Sequence, residues 1–184
     1  MAHKTITMAR PGMQLDLGGI AQGYIAQKVL DFLSTQKINR ALVNASGDIV
    51  MSGSPPGAKG WTVGVNVPES REELLPKKLL LQNKAVTTSG DAYQFIDHDG
   101  KRYSHITDPR TGYGVTFQRN VTVIANDGAT ADWLATACSI VSIKKAKKLA
   151  TSLRAEVLIA EFKKGKLTFH ATKGFSLYWK QRAQ

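Results

Sequence analysis

A single cysteine in 184 residues means that no disulfide within the chain can staple the fold, so stability has to come from packing. Cys138 lies in an apolar stretch and reads as a small buried hydrophobe rather than a nucleophile. Long apolar runs are also missing. Ala155 to Ala160, interrupted by Glu156, is among the longest, far short of the ~20 residues a membrane-spanning helix needs. The N-terminus shows neither a signal-peptide apolar core nor a lipobox, so the chain as given is expected to be soluble and its compartment is left open. Acidic residues are scarce, 14 against 25 lysines and arginines, for a net charge of +11. That excess raises nucleic acid as a partner. The clusters Lys144, Lys145, Lys147, Lys148 and Lys163, Lys164, Lys166 lack interleaved aromatic residues for base stacking, however, which argues against it. A polyanionic small molecule or an acidic partner accounts for the charge equally well.

What is present suits a packed core: 42% of residues are hydrophobic, enough for one domain over residues 1–184. Periodic apolar positions and Ala/Leu/Lys content predict helices at Gly19–Thr35, Thr130–Val141 and Ile143–Leu153. Strands are predicted at Gln14–Leu17, Arg40–Asn44, Asp48–Met51, Thr62–Asn66, Lys78–Gln82, Tyr93–Asp97, Lys101–Ile106, Val121–Ala125, Ala155–Ala160 and Lys166–Ala171. Asp99-Gly100 marks a hairpin, and residues 52–60, rich in Gly, Ser and Pro, mark a loop. Runs of strands between helices, without strict alternation, predict an α+β fold with a largely antiparallel mixed sheet and flanking helices.

Four stretches combine the residue types that chemistry needs. Tyr103 to Gly112 (YSHITDPRTG) places His105 beside a Pro/Gly turn. An imidazole there suits proton transfer or attack on phosphate, although a solvated histidine beside a turn has the same signature. Leu15 to Tyr24 (LDLGGIAQGY) runs from an alternating segment through Gly18-Gly19 into a helical pattern. Glycines let backbone approach a ligand and a helix N-terminus favours anions, yet the same pair also serves plain strand-to-helix packing. Thr87, Thr88, Ser89 and Gly90 follow an apolar strand as a phosphate cradle or as an ordinary hydroxyl-rich turn. Asp132 and Thr136 lie four apart on a helical pattern and so share a face. Together they suit a hard cation such as Mg²⁺, or else a helix-dipole carboxylate and a back-bonded threonine.

Taken in order, these motifs resemble the ApbE family of FAD:protein FMN transferases over most of the chain from Ile6 onward. LDLGGIAQGY is similar to the family's D-L-G-G-I-A-K-G-Y, LVNASGDI to L-V-N-x-G-G-D, and TADWLATA to A-D-x-L-A-T-A. TTSGDAY and GKRYSHITDPRTG are similar to T-S-G and G-K-R-Y-S-H-I-x-D-P-x-T-G. The resemblance implies an Mg²⁺-dependent enzyme that cleaves FAD and attaches FMN to a Thr or Ser of an acceptor protein carrying D-x-x-[S/T]-G-A-T, or that hydrolyses FAD to FMN and AMP. It also implies His105 as base or transient phosphoryl carrier. By the same resemblance Asp132, Thr136 and the Gly19 carbonyl hold the metal, and Asp48, Thr88, Ser89 and Gly90 lie along the flavin phosphate or ribose.

Gln22 stands where family members commonly carry lysine. An amide in place of the ammonium weakens a direct FAD contact by roughly 1.5–3 kcal/mol. Family members are longer, so the chain resembles a C-terminal half; the expectation is that an N-terminal half or a second chain completes the pocket, and a non-catalytic flavin-binding or interaction domain is the alternative. Many relatives of this type are exported lipoproteins. Gly128-Ala129-Thr130 matches the end of the acceptor motif, but Ile124 and Asp127 replace its Asp and its Ser/Thr, so Thr130 is not expected to be flavinylated; Asp127 or Thr130 is expected to cap the helix bearing Asp132.

Overall fold

The computed structural model describes residues 5–66, 75, 77–90 and 95–181. The fold is α+β: an antiparallel sheet of six strands in the order β1-β2-β5-β8-β9-β10, with helices on one face. The strands are β1 (Ala41–Ala45), β2 (Asp48–Ser52), β5 (Lys84–Gly90), β8 (Gln118–Ala125), β9 (Glu156–Lys163) and β10 (Lys166–Ala171). Two small hairpins stand apart, β3 (Trp61–Val63) with β4 (Leu79–Leu81), and β6 (Phe95–His98) with β7 (Lys101–Ser104). The helices are α1 (Ala21–Thr35), α2 (Gly128–Ile140) and α3 (Ile143–Ser152).

The pleat sorts the core into two layers. Val50, Ala85, Val121, Val123, Val157 and Ile159 face the helices, while Met51, Val86, Ile124 and Leu158 face β3–β4 and the buried Phe175. This alternation follows from the period of two along each strand. Helix α2 is buried almost all round because it lies on the sheet between α1 and α3; its contact residues are accordingly small, with Ala131, Ala135, Cys138 and Ser139 alongside Leu134. The Asp127 carboxylate accepts from the Thr130 N–H at 2.8 Å and caps α2. Cys138 is fully buried, and burial pushes its thiol up to about 12. Among the described residues no helix is long and apolar enough to cross a membrane.

Four expectations are corrected. Gln14–Leu17 is not a strand: no neighbouring strand pairs with it and Leu15 and Leu17 are exposed. The Asp16 carboxylate instead accepts from the Gly18 N–H at 2.7 Å, and the Leu17 carbonyl accepts from the N–H groups of Ile20 and Ala21, turning the chain into α1. Thr87 to Gly90 is not a turn after a strand but the second half of β5, paired with β8 from Ala85↔Ala125 to Gly90↔Asn120. The strand predicted through Ile106 ends at Ser104, and that predicted at Thr62–Asn66 spans Trp61–Val63. Asp99 and Gly100, both at positive φ, form the expected hairpin between β6 and β7. Tyr93 and Gln94, the start of another predicted strand, lie outside the described residues.

Candidate functional site

Between α1, α2 and the ends of β2 and β5, several polar groups converge on the helix face of the sheet. The Thr87 hydroxyl donates to Asp48 Oδ1 at 2.6 Å. Two residues along β5, Ser89 Oγ lies 3.2 Å from Thr136 Oγ1. Asp132, one helical turn before Thr136, is 4% exposed, and its Oδ2 accepts from the Gly23 N–H at 2.9 Å. Gly19 packs on Thr136 so closely that a Cβ there would stand 3.3 Å from Cγ2 and 3.4 Å from Oγ1. Gly19, Asp48, Ser89, Asp132 and Thr136 therefore meet in one place.

The approach of α1 to α2 depends on a pair of glycines. A Cβ on Gly23 would meet the Gly128 carbonyl oxygen at 2.2 Å, and one on Gly128 would meet the Gly23 carbonyl oxygen at 2.2 Å. The Gln27 side chain locks the crossing by accepting from the Gly128 N–H at 3.0 Å. Sequence reasoning missed the roles of Gly23 and Gln27 in this crossing. Gly23 had a readable signal, since an interior helix glycine costs ~1 kcal/mol relative to alanine and calls for a packing reason.

Burial raises both carboxylates. Asp48 is pushed from 3.8 to about 6, chiefly by desolvation, with the neighbouring charge of Asp132 adding to it and the Thr87 hydrogen bond opposing. Asp132 is raised by burial, against the Gly23 hydrogen bond. Because the folded state holds the Asp48 proton more tightly than the unfolded chain, stability is greatest below pH ~4 and falls as pH rises through about 6. In metal-free buffer, thermal melts from pH 4 to 7 are expected to show wild type losing on the order of 2 kcal/mol relative to Asp48→Asn, and parallel curves would contradict this.

His105 stands on a different element, the loop after β7. It is exposed and lines a surface pocket of about 620 Å³ with Phe95, Tyr103 and Tyr113. The turn behind it is rigid: Asp108 accepts from the Arg110 N–H and Nε at 2.9 Å and from Nη2 at 2.6 Å, which holds its carboxyl down at about 2. Gly114 passes so near the Ser104 carbonyl that a Cβ would lie 2.0 Å from it. The remaining predicted residues are not brought together. Thr88 projects to the opposite face of the sheet, where its hydroxyl lies 2.8 Å from that of Thr122. Gln22 is exposed on α1, and Gly90 lies under the Asn120 side chain. Asp91, at the end of the hydroxyl motif, falls outside the described residues.

The donors that converge are oxygens, and no group of three or more His, Cys, Asp or Glu side chains among the described residues is placed to hold a metal. Such a set suits a hard cation that keeps water or phosphate in its shell and does not suit a zinc cage.

Residues 1–159 match the family model described as the ApbE family. The FAD:protein FMN transferase of Klebsiella pneumoniae is 38% identical over 129 residues, 70% of this chain and 39% of that protein. That of Treponema pallidum is 35% identical over 78% of this chain and 42% of its own length. Among solved structures, the ApbE protein of Thermotoga maritima superposes with a TM-score of 0.79 at 33% identity, covering 91% of this chain and 54% of that one. The flavin transferase ApbE of Vibrio cholerae does so with a TM-score of 0.78 at 28% identity, covering 89% and 52%. The chain thus spans about half the length of the relatives it matches, and it belongs to the ApbE family.

Proposed function

We propose that this chain carries the metal- and phosphate-handling part of an Mg²⁺-dependent FAD:protein FMN transferase. The observation that supports this most is the convergence of the Gly19 backbone, Ser89, Asp132 and Thr136 on one face of α2. Asp132, Thr136 and the Gly19 carbonyl would hold the Mg²⁺, which when bound supplies charge neutralisation to a pyrophosphate. The Gly23 N–H fixes one oxygen of Asp132 and so sets the carboxylate's direction. Asp48 and Ser89 border the same place and contact the flavin phosphate or ribose.

His105, on its braced loop, takes the proton of the acceptor hydroxyl. The acceptor oxygen then forms a bond to the FMN phosphorus, the bond from that phosphorus to the bridging oxygen breaks, and AMP leaves with the electron pair. Water in place of the hydroxyl gives free FMN and AMP. The test is to incubate the chain with FAD, with Mg²⁺ or with EDTA, and to follow AMP by chromatography. Mg²⁺-dependent AMP is expected.

A second reading, that the chain is one half of the working unit, draws on the outer face of α1. Ile25, Val29 and Phe32 recur at helical spacing and are 56%, 43% and 62% exposed, with Leu15 and Leu17 beside them in sequence at 58% and 60%. An apolar stripe of this kind is normally covered. FAD binding without AMP release would favour that reading.

A further inference from the structure

We infer that the groove between β7 and the β9–β10 tip, with the lysines around it, is the docking surface for an acidic stretch of the acceptor polypeptide; this rests on the transferase reading above. The groove, about 310 Å³, is bordered by Arg102 on β7, by Phe117 and Phe162, and by Lys163 and Lys164. Arg102 lies three residues before His105 in the hairpin that carries it. Gly90 pairs with Asn120 and Gln118 with Phe162, so the groove opens at the same end of the sheet as the Ser89–Thr136 pair. Lys163, on β9, is two strand spacings from β5 and Lys166, on β10, is three, roughly 10 and 15 Å at ~4.8 Å per strand.

The basic residues here are placed against local preference. The β9–β10 turn has Lys164 at φ 52 followed by Gly165 at φ 71, a turn in which Asn or Asp is the usual first residue, as Asp99 is in the β6–β7 hairpin. Helix α3 begins with Lys144 and Lys145 and has no acidic residue in its first turn, opposing its own dipole. That helix start is held at the same end of the sheet, because Arg119 donates both to the Val141 carbonyl at 3.0 Å and to Glu161 at 2.6 Å. Lys144, Lys145, Lys163, Lys164 and Lys166 are all exposed, and none makes an ion pair among the described residues. Glu161, the carboxylate in the groove, is engaged by Arg119. Unneutralised charge beside a narrow groove with phenylalanine borders fits an extended chain rich in Asp and Glu. The exposed face of α3 lacks the large apolar residues with which a helix enters a bilayer.

The probe is a fluorescein-labelled peptide carrying Asp-x-x-Thr-Gly-Ala-Thr, flanked either by glutamates or by serines. Binding is read by anisotropy and flavinylation by mass. In the combined variant Lys163→Glu, Lys164→Glu and Lys166→Glu, affinity for the glutamate-flanked peptide is expected to fall about tenfold or more at low salt. The serine-flanked peptide and acceptor-free AMP release are expected to be unchanged, and the corresponding Lys→Arg variant to keep wild-type binding. Equal affinity for the two peptides would overturn the inference. So would indifference to the Glu variant, or tighter binding to phosphatidylserine vesicles or duplex DNA at the same ionic strength. Lysine-dependent binding without flavinylation would keep the docking surface and remove the transferase reading; flavinylation without lysine dependence would do the reverse.

Discussion

Replacing His105 with alanine is expected to lower FMN transfer by about 10²–10⁴-fold, the range that a positioned proton acceptor contributes. Stability should barely change. His105 is exposed, and its loop is braced by Ser104 N–H to the Val115 carbonyl, Val115 N–H to the Ile106 carbonyl, and the Asp108–Arg110 pair. The pair of observations separates a role in the reaction from a role in the fold, since a loss of activity with an unaltered melt does not come from unfolding. Undiminished transfer in His105→Ala would remove this residue from the proposed reaction.

Gly23→Ala is expected to produce the largest loss of stability, about 3 kcal/mol, or about 10 °C in the melting temperature. In an ordinary helix interior the same change gains about 1 kcal/mol, because glycine is the poorer helix former. Here the added methyl group would sit 2.2 Å from the Gly128 carbonyl oxygen and 2.7 Å from the Asp132 Cβ, both atoms of a rigid, buried helix. One of the helices has to move. Either way the Gly23 N–H that holds Asp132 Oδ2 is displaced, so Mg²⁺ affinity is expected to fall along with stability. Urea denaturation decides between the two signs, and a stabilised Gly23→Ala would contradict the close crossing of α1 and α2.

These two positions also show what could be read from the sequence. Asp132 and Thr136 announced themselves by helical spacing, and the structure puts Thr136 against Gly19 and Asp132 against Gly23. The hydroxyl run was legible as a polar cluster but not in its geometry. Read as a turn, Thr87, Thr88, Ser89 and Gly90 would all serve one ligand; as the end of β5, they alternate. Thr87 and Ser89 face Asp48 and Thr136, and Thr88 faces Thr122 on the other side. Thr87 and Thr88 favour a strand, but the face each hydroxyl takes is set by pairing with a neighbouring strand, here β8.

Gln14–Leu17 failed in the opposite direction. Its alternation is that of a strand, but it pairs with no strand of the sheet. The three helices were placed within two residues of their observed ends because Ala/Leu/Lys content and apolar repeats mark each of them, with the Asp127 cap before α2. The glycine crossing needed two helices to be known at once, so no local pattern could supply it.

In the proposed reaction this chain moves FMN from FAD onto a protein hydroxyl, using Asp132 and Thr136 for the metal and His105 for the proton. The most direct measurement is the intact mass of a peptide bearing D-x-x-T-G-A-T after incubation with the chain, FAD and Mg²⁺. The proposed reaction predicts a gain equal to FMN less one water, matched one for one by AMP and absent in His105→Ala and Asp132→Ala. An unmodified peptide with all FAD intact, or equal modification by wild type and both variants, would contradict it.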